Sequence, residues 1–181
     1  MQIRHFKTLW GAVGSGAPHD TFAAALPAIA AEGWDGVVFA LIALDFDPDV
    51  GTLPELAERC REHDLDLALM IMTEGDDAAD HTGSFHSELE RVAPLSPHHV
   101  ICHGGLDRFD WSATAAFFSA ALDVEAHLSF PVAHETHRSR ILFTPWVTSR
   151  VLDEFPSLQL AVDLSHWMVV AERSLDAEEG V

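Results

Sequence analysis

Two short runs hold the residue types that bind divalent metals: His134-Glu135-Thr136-His137-Arg138 and Asp163-Leu164-Ser165-His166-Trp167. Each acid comes just after an apolar run, over 130–133 in the first case and 158–162 in the second. Glu135 and Asp163 stand 28 positions apart, about the length of one strand–helix–strand unit. That spacing sets the two carboxylates side by side at the C-terminal ends of neighbouring parallel strands, where (β/α) barrels keep their chemistry. Hard carboxylate oxygens with imidazoles beside them suit Mn2+, Mg2+, Co2+ or Zn2+.

Each residue also has a plainer reading. A charge after an apolar strand is costly unless it is paired or metal-bound, but both acids are equally readable as surface carboxylates, and Asp163 as a helix N-cap. His166 follows Asp163 by three positions and either reaches the same site or makes one backbone hydrogen bond. His103 closes an apolar run ahead of Gly104-Gly105, a turn where backbone can approach a ligand; it lines a site or packs. Side chains alternate along a strand, so His134 faces away from Glu135 and His137 returns to its side. Arg138 and Arg140 offer guanidinium groups for a phosphate or carboxylate, or pair with the many acids of the chain. Trp10 and Trp167 wall a sugar ring or pack a core. The glycines at 11, 14 and 16 match neither the dinucleotide fingerprint nor a P-loop, and read as a flexible loop.

The elements that must position these residues repeat about every 30 residues, as successive βα units do. Strands are expected over 3–9, 36–41, 65–72, 98–103, 130–136 and 158–164. Runs such as Val37-Val38-Phe39-Ala40-Leu41 are apolar on both faces, the pattern of a parallel sheet covered by helices. Between them, Phe22, Leu26, Ile29 and Ala30 recur at helical spacing around Pro27, which predicts a kink. Thr52-Leu53-Pro54-Glu55 is a capping box. Phe85, Leu89 and Val92 mark a third helix, and 111–126 a fourth. Thr144-Pro145 starts a fifth, which Pro156 ends. Residues 176–181 read as an interrupted helix.

The composition narrows the function. With 48 % hydrophobic residues the chain has the means to bury a core. Its 29 acids against 10 bases leave a formal charge of −19, which repels nucleic-acid phosphates. No apolar run nears the roughly 20 residues of a membrane span, and the N-terminus lacks a signal-peptide pattern. A cytoplasmic location is therefore expected, with Cys60 and Cys102 as packed thiols rather than a disulfide.

On these residues the chain resembles the sugar-phosphate isomerase/epimerase group of the xylose-isomerase-like TIM barrels. Glu135 in His-Glu-Thr-His-Arg, Thr144-Pro145-Trp146, and Asp163-Leu-Ser-His166-Trp167 carry the likeness, with Lys7-Thr8-Leu9-Trp10-Gly11 and His103-Gly104-Gly105 in support. The resemblance implies one divalent metal held by side chains of strands five to eight. Glu135 matches the first ligand and a catalytic acid, Asp163 the second ligand, and His166 the histidine that meets substrate. His103, Trp10 and Arg138 are the further substrate-binding candidates. The strand-seven histidine and strand-eight acid find no counterpart.

Eight units need roughly 240 residues, and six strands fill these 181. The expectation is a single α/β domain over 1–181, an incomplete (β/α)8 TIM barrel truncated after strand six. Open sheet edges then favour a homo-oligomer. The leading function is a metal-dependent isomerase or epimerase of a sugar or sugar phosphate, working through an enediolate and impaired by the missing units. A non-catalytic or partner-completed fragment is the second reading. The third is a zinc hydrolase of the endonuclease-IV-like branch, which also wants a strand-three histidine where this chain has Met70, Met72 and Thr73.

Overall fold

A computed structural model describes residues 3–172; the helix expected over 176–181 lies outside them. Six parallel strands follow one another in chain order within one sheet, β1-β2-β3-β4-β5-β6. They are β1 (Phe6–Thr8), β2 (Gly36–Ala40), β3 (Asp66–Met72), β4 (His99–His103), β5 (Val132–Glu135) and β6 (Leu160–Ala161). The connecting helices are α1 (Phe22–Ala31), α2 (Ala43–Phe46), α3 (Leu53–Glu62), α4 (Ala78–Val92), α5 (Trp111–Glu125), α6 (Pro145–Glu154) and α7 (Leu164–Ala171). This is the architecture of an incomplete (β/α) barrel. No described helix is long and apolar enough to cross a membrane.

The elements form where local chemistry starts and stops them. Thr21, Thr52, Asp110 and Thr144 cap α1, α3, α5 and α6, each accepting a backbone N–H from the first turn. Such caps satisfy one of the donors that a helix start leaves orphaned. Pro27 sits inside α1, which runs through it as one helix. Each strand is shorter than the range expected for it, β6 most of all. β6 keeps only Leu160 and Ala161, because Asp163 already serves as the N-cap of α7.

The backbone divides into two compact units, Met1–Ile71 with Arg91–Val100, and Met72–Glu90 with Ile101–Val181. In the first, Phe22 of α1 meets Phe39 of β2 edge-on at 5.1 Å, beside buried Leu26, Val37, Leu56 and Leu69. Cys60 is free, and burial pushes its thiol up to about 12. The second unit packs Phe85, Phe117 and Phe118 from α4 and α5 around buried Cys102, Val132 and Val151. Cys102 is free as well, its thiol raised first by burial and then by Glu125.

Gly36 pairs with Phe6 and Asp66 across β1–β2–β3. A Cβ there would press on the Asp66 carbonyl and come within 2.5 Å of the Phe6 ring. Overpacking of this kind costs about 1–3 kcal/mol. Gly36→Ala is expected to lower the urea midpoint at unchanged slope, and an unchanged midpoint would contradict this packing.

Candidate metal centre

The second unit gathers the expected residues at its strand ends. His103 is the last residue of β4 and Glu135 the last of β5. Both are buried, at 6 % and 9 % exposure. His103 Nε2 lies 2.9 Å from Glu135 Oε2. The two are not aligned as donor and acceptor, for neither ring nitrogen of His103 has a hydrogen-bond partner. A buried imidazole set against a carboxylate without an aligned hydrogen bond fits a His–Glu ion pair and a shared cation alike.

Strand register brings the second acid to the first. Glu135 pairs with Ala161 of β6. One residue on, Thr136 Oγ1 accepts the Asp163 N–H at 2.7 Å and donates to the Asp163 carbonyl at 3.0 Å. One hydroxyl thus fixes the peptide that carries Asp163. The Asp163 carboxylate lies 3.7 Å from His166 Nε2 across one turn of α7. α7 itself is anchored by Trp167, whose Nε1–H donates to the Leu142 carbonyl at 3.0 Å.

His137 completes the cluster. Its ring stacks on His103 at 4.4 Å and meets His166 at 3.9 Å between centroids. The Arg138 carbonyl, an acceptor only, sits 2.5 Å from His137 Nδ1, so that nitrogen carries the proton and Nε2 keeps its lone pair. Burial first, then the neighbouring His103, hold the His137 imidazole below its ordinary value and hence neutral. Ligand atoms of His103, Glu135 and His137 lie within 4.8 Å of one another, and so do those of Glu135, Asp163 and His166. Glu135 belongs to both groups.

His134 turns the other way, as strand alternation requires. It is buried among Phe85, Phe117 and Phe118, with Nε2 at 2.8 Å from Glu125 Oε1. Arg138 is exposed, and its backbone carbonyl is what meets the cluster. Arg140 instead donates to the Thr73 and Gly105 carbonyls at 2.9 and 3.1 Å. Trp10 belongs to the first unit, is 63 % exposed, and lines a cavity of about 650 Å3 with Leu9, Phe39, Asp47 and Val50. His137 was not among the residues selected from sequence, although its two-residue offset from Glu135 was the available signal.

The sequence matches no protein-family profile, and no curated protein is detectably similar to it. Solved structures do share its fold. The probable 3-DHS dehydratase AsbF of Bacillus anthracis, involved in petrobactin synthesis, superposes with a TM-score of 0.67 at 12 % identity. That match covers 93 % of this chain and 66 % of AsbF, so the chain spans just under two thirds of that protein. The 3-keto-D-glucoside 4-epimerase YcjR of E. coli gives 0.59 at 14 % identity, over 94 % of this chain and 72 % of its own. The incomplete (β/α) barrel expected from the strand spacing is therefore the fold of the chain.

Burial alone would raise the Asp163 carboxyl, but the Ser165 hydroxyl and N–H, at 2.6 and 2.8 Å, together with His166, hold it below the usual carboxylate value. A depressed folded value contributes stability above the unfolded pKa, and loses it as pH falls through the folded one. Ser165→Ala should therefore move the Asp163 carboxyl titration upward in 13C NMR, so that α7 loses its charged cap at a higher pH. A midpoint that stays in place would mean that Ser165 does not set this charge.

Proposed function

We propose that this chain is the metal-binding part of a divalent-metal-dependent isomerase or epimerase acting on a sugar or sugar phosphate. The carrying observation is the pair of overlapping donor groups that share Glu135, with the buried His103 imidazole 2.9 Å from its carboxylate. Glu135 and Asp163 would hold the ion, Mn2+, Mg2+, Co2+ or Zn2+, with imidazole donors beside them. When bound, such an ion supplies Lewis acidity toward a sugar carbonyl. The chain's own residues do the rest. Glu135 takes a proton from the carbon next to the carbonyl, leaving an enediolate, and a proton is returned to carbon. His166 meets a substrate hydroxyl, and His103 with His137 shields the pocket from water. Arg138, exposed beside the cluster, is the candidate for a substrate phosphate. The fold shared with a dehydratase and an epimerase supports this reading, and a cytoplasmic setting belongs to it.

A second observation favours self-association. β6 stands at the end of the strand order, and Val162, Leu164, Met168, Val169 and Val170 around it are exposed. An open edge beside bare apolar side chains invites pairing with another chain. We propose a homo-oligomer through this edge. Light scattering behind size exclusion should then show species above the monomer mass, which Val169→Glu with Met168→Lys would reduce. A monomer at all concentrations removes this reading.

Calorimetric titration tests the metal reading. Mn2+, Co2+ or Zn2+ should bind weakly, because few ligands come from the chain and closed sites gain affinity from a full set. Glu135→Gln and Asp163→Asn should each cost at least about tenfold, the lower range for groups that only orient a ligand. Binding that survives both substitutions would show that the ions sit elsewhere.

A further inference from the structure

Behind His103 lies a buried polar chain that the site chemistry does not use. His81 of α4 is 1 % exposed, and the Phe109 ring meets its imidazole edge-on at 5.4 Å. Its Nε2 is 3.1 Å from the Gly75 carbonyl and its Nδ1 2.6 Å from Thr73 Oγ1. The same Thr73 oxygen accepts the Gly105 N–H at 2.9 Å and lies 3.3 Å from the His103 carbonyl. The Thr73 N–H donates to that carbonyl at 3.1 Å.

Counting protons orders this chain. A carbonyl only accepts, so His81 Nε2 carries the proton and donates to Gly75. Nδ1 is then an acceptor, and the single hydroxyl proton of Thr73 goes to it. The hydroxyl lone pairs are left for the Gly105 N–H. Burial, and next Arg140, hold the His81 imidazole below its ordinary value, against the pull of the Gly75 carbonyl; the neutral ring needed for this order is the favoured one. Thr73 thereby grips both sides of His103-Gly104-Gly105, holding the carbonyl of the first residue and the N–H of the third. Gly105 sits at φ +57°, with Ile141 crowding the place of a Cβ. Arg140 ties the Thr73 and Gly105 carbonyls together from the other side.

We infer that Thr73 and His81 are positioning residues of the candidate metal centre: His81 Nδ1 accepts the Thr73 O–H, and the hydroxyl lone pairs, so oriented, pin the turn that aims the His103 imidazole at Glu135. This rests on the metal reading above for its consequence, not for its geometry. It assigns a role to a strand-three threonine and a helix histidine that no ligand spacing singled out.

Two measurements on the full chain separate the geometry from its consequence. Long-range 1H–15N correlation of the histidine rings should show His81 as the Nε2–H tautomer with Nδ1 accepting. Thr73→Val should shift the His81 and His103 ring signals and weaken Co2+ binding about tenfold, as loss of an orienting partner does. Thr73→Ser, which keeps the hydroxyl, should restore both. Gly36→Ala supplies the control: it lowers stability in the other unit and should leave the His103 signals and Co2+ affinity in place. A His81 ring protonated on Nδ1 overturns the proposal, and so does a Thr73→Val protein that loses only thermal stability. Failure of Thr73→Ser to rescue overturns it too. If the unaltered protein binds no Co2+, the metal reading falls while the ring signals still decide the positioning role.

Discussion

The rest of the second unit is arranged around a carboxylate drawn largely out of solvent. Glu135 ends an apolar strand at 9 % exposure, and an ionised carboxylate there needs compensation worth several kcal/mol. His103 stands against it, and His137 covers His103. The neighbouring residues of β5 serve the same end from other directions. His134 plunges into the phenylalanine core and pairs with Glu125, so the strand cannot slip by one residue without burying the wrong side chain. Thr136 clasps the Asp163 peptide, so the second acid arrives at a set height beside the first. Three consecutive residues thus anchor the strand, present the charge and position its neighbour.

Much of the fold could be read in the sequence because parallel strands are buried on both faces. All six strands fall within their apolar runs, and the capping threonines at 52 and 144 mark α3 and α6 where the structure has them. The ends were harder to read. Asp163 continues the strand pattern of 158–164, yet its side chain caps α7 and cuts β6 to two residues. The N-cap role uses only one of the two Asp163 oxygens. Oδ1 caps the helix while Oδ2 faces His166. The short α2, with no capping side chain and only four residues, left no periodic signal.

The site divides in the same way. Glu135, Asp163, His166 and His103 stand at strand ends or one helical turn beyond, which spacing indicates, while the roles expected of them come from the family resemblance. His137 follows from alternation carried one step past the strand. The arginines do not follow from any period. Ser139 takes a left-handed backbone at φ 64°, and this turn exposes Arg138 while sending Arg140 inward to two carbonyls. Thr73 and His81 carried no signal, since a threonine on an apolar strand and a histidine on a polar helix are each unremarkable. Their meaning comes from a contact made eight residues apart over the end of a strand.

The acids of this chain differ in the partners they take. Asp66, at the start of β3, is matched by the guanidinium of Arg4, with His98 3.6 Å away. Glu125 takes a buried histidine deep in the core. At the end of β5 the Arg140 guanidinium is held on backbone carbonyls, and the groups gathered with Glu135 are His103, His137, His166 and the Asp163 carboxylate. A fixed positive charge in that place would neutralise Glu135 permanently and repel any cation. Imidazoles instead offer ring-nitrogen lone pairs, in a chain whose net charge of −19 raises the local concentration of cations. A structural ion pair and a metal site begin from the same buried carboxylate, and the difference is whether the partner brings a charge or a lone pair.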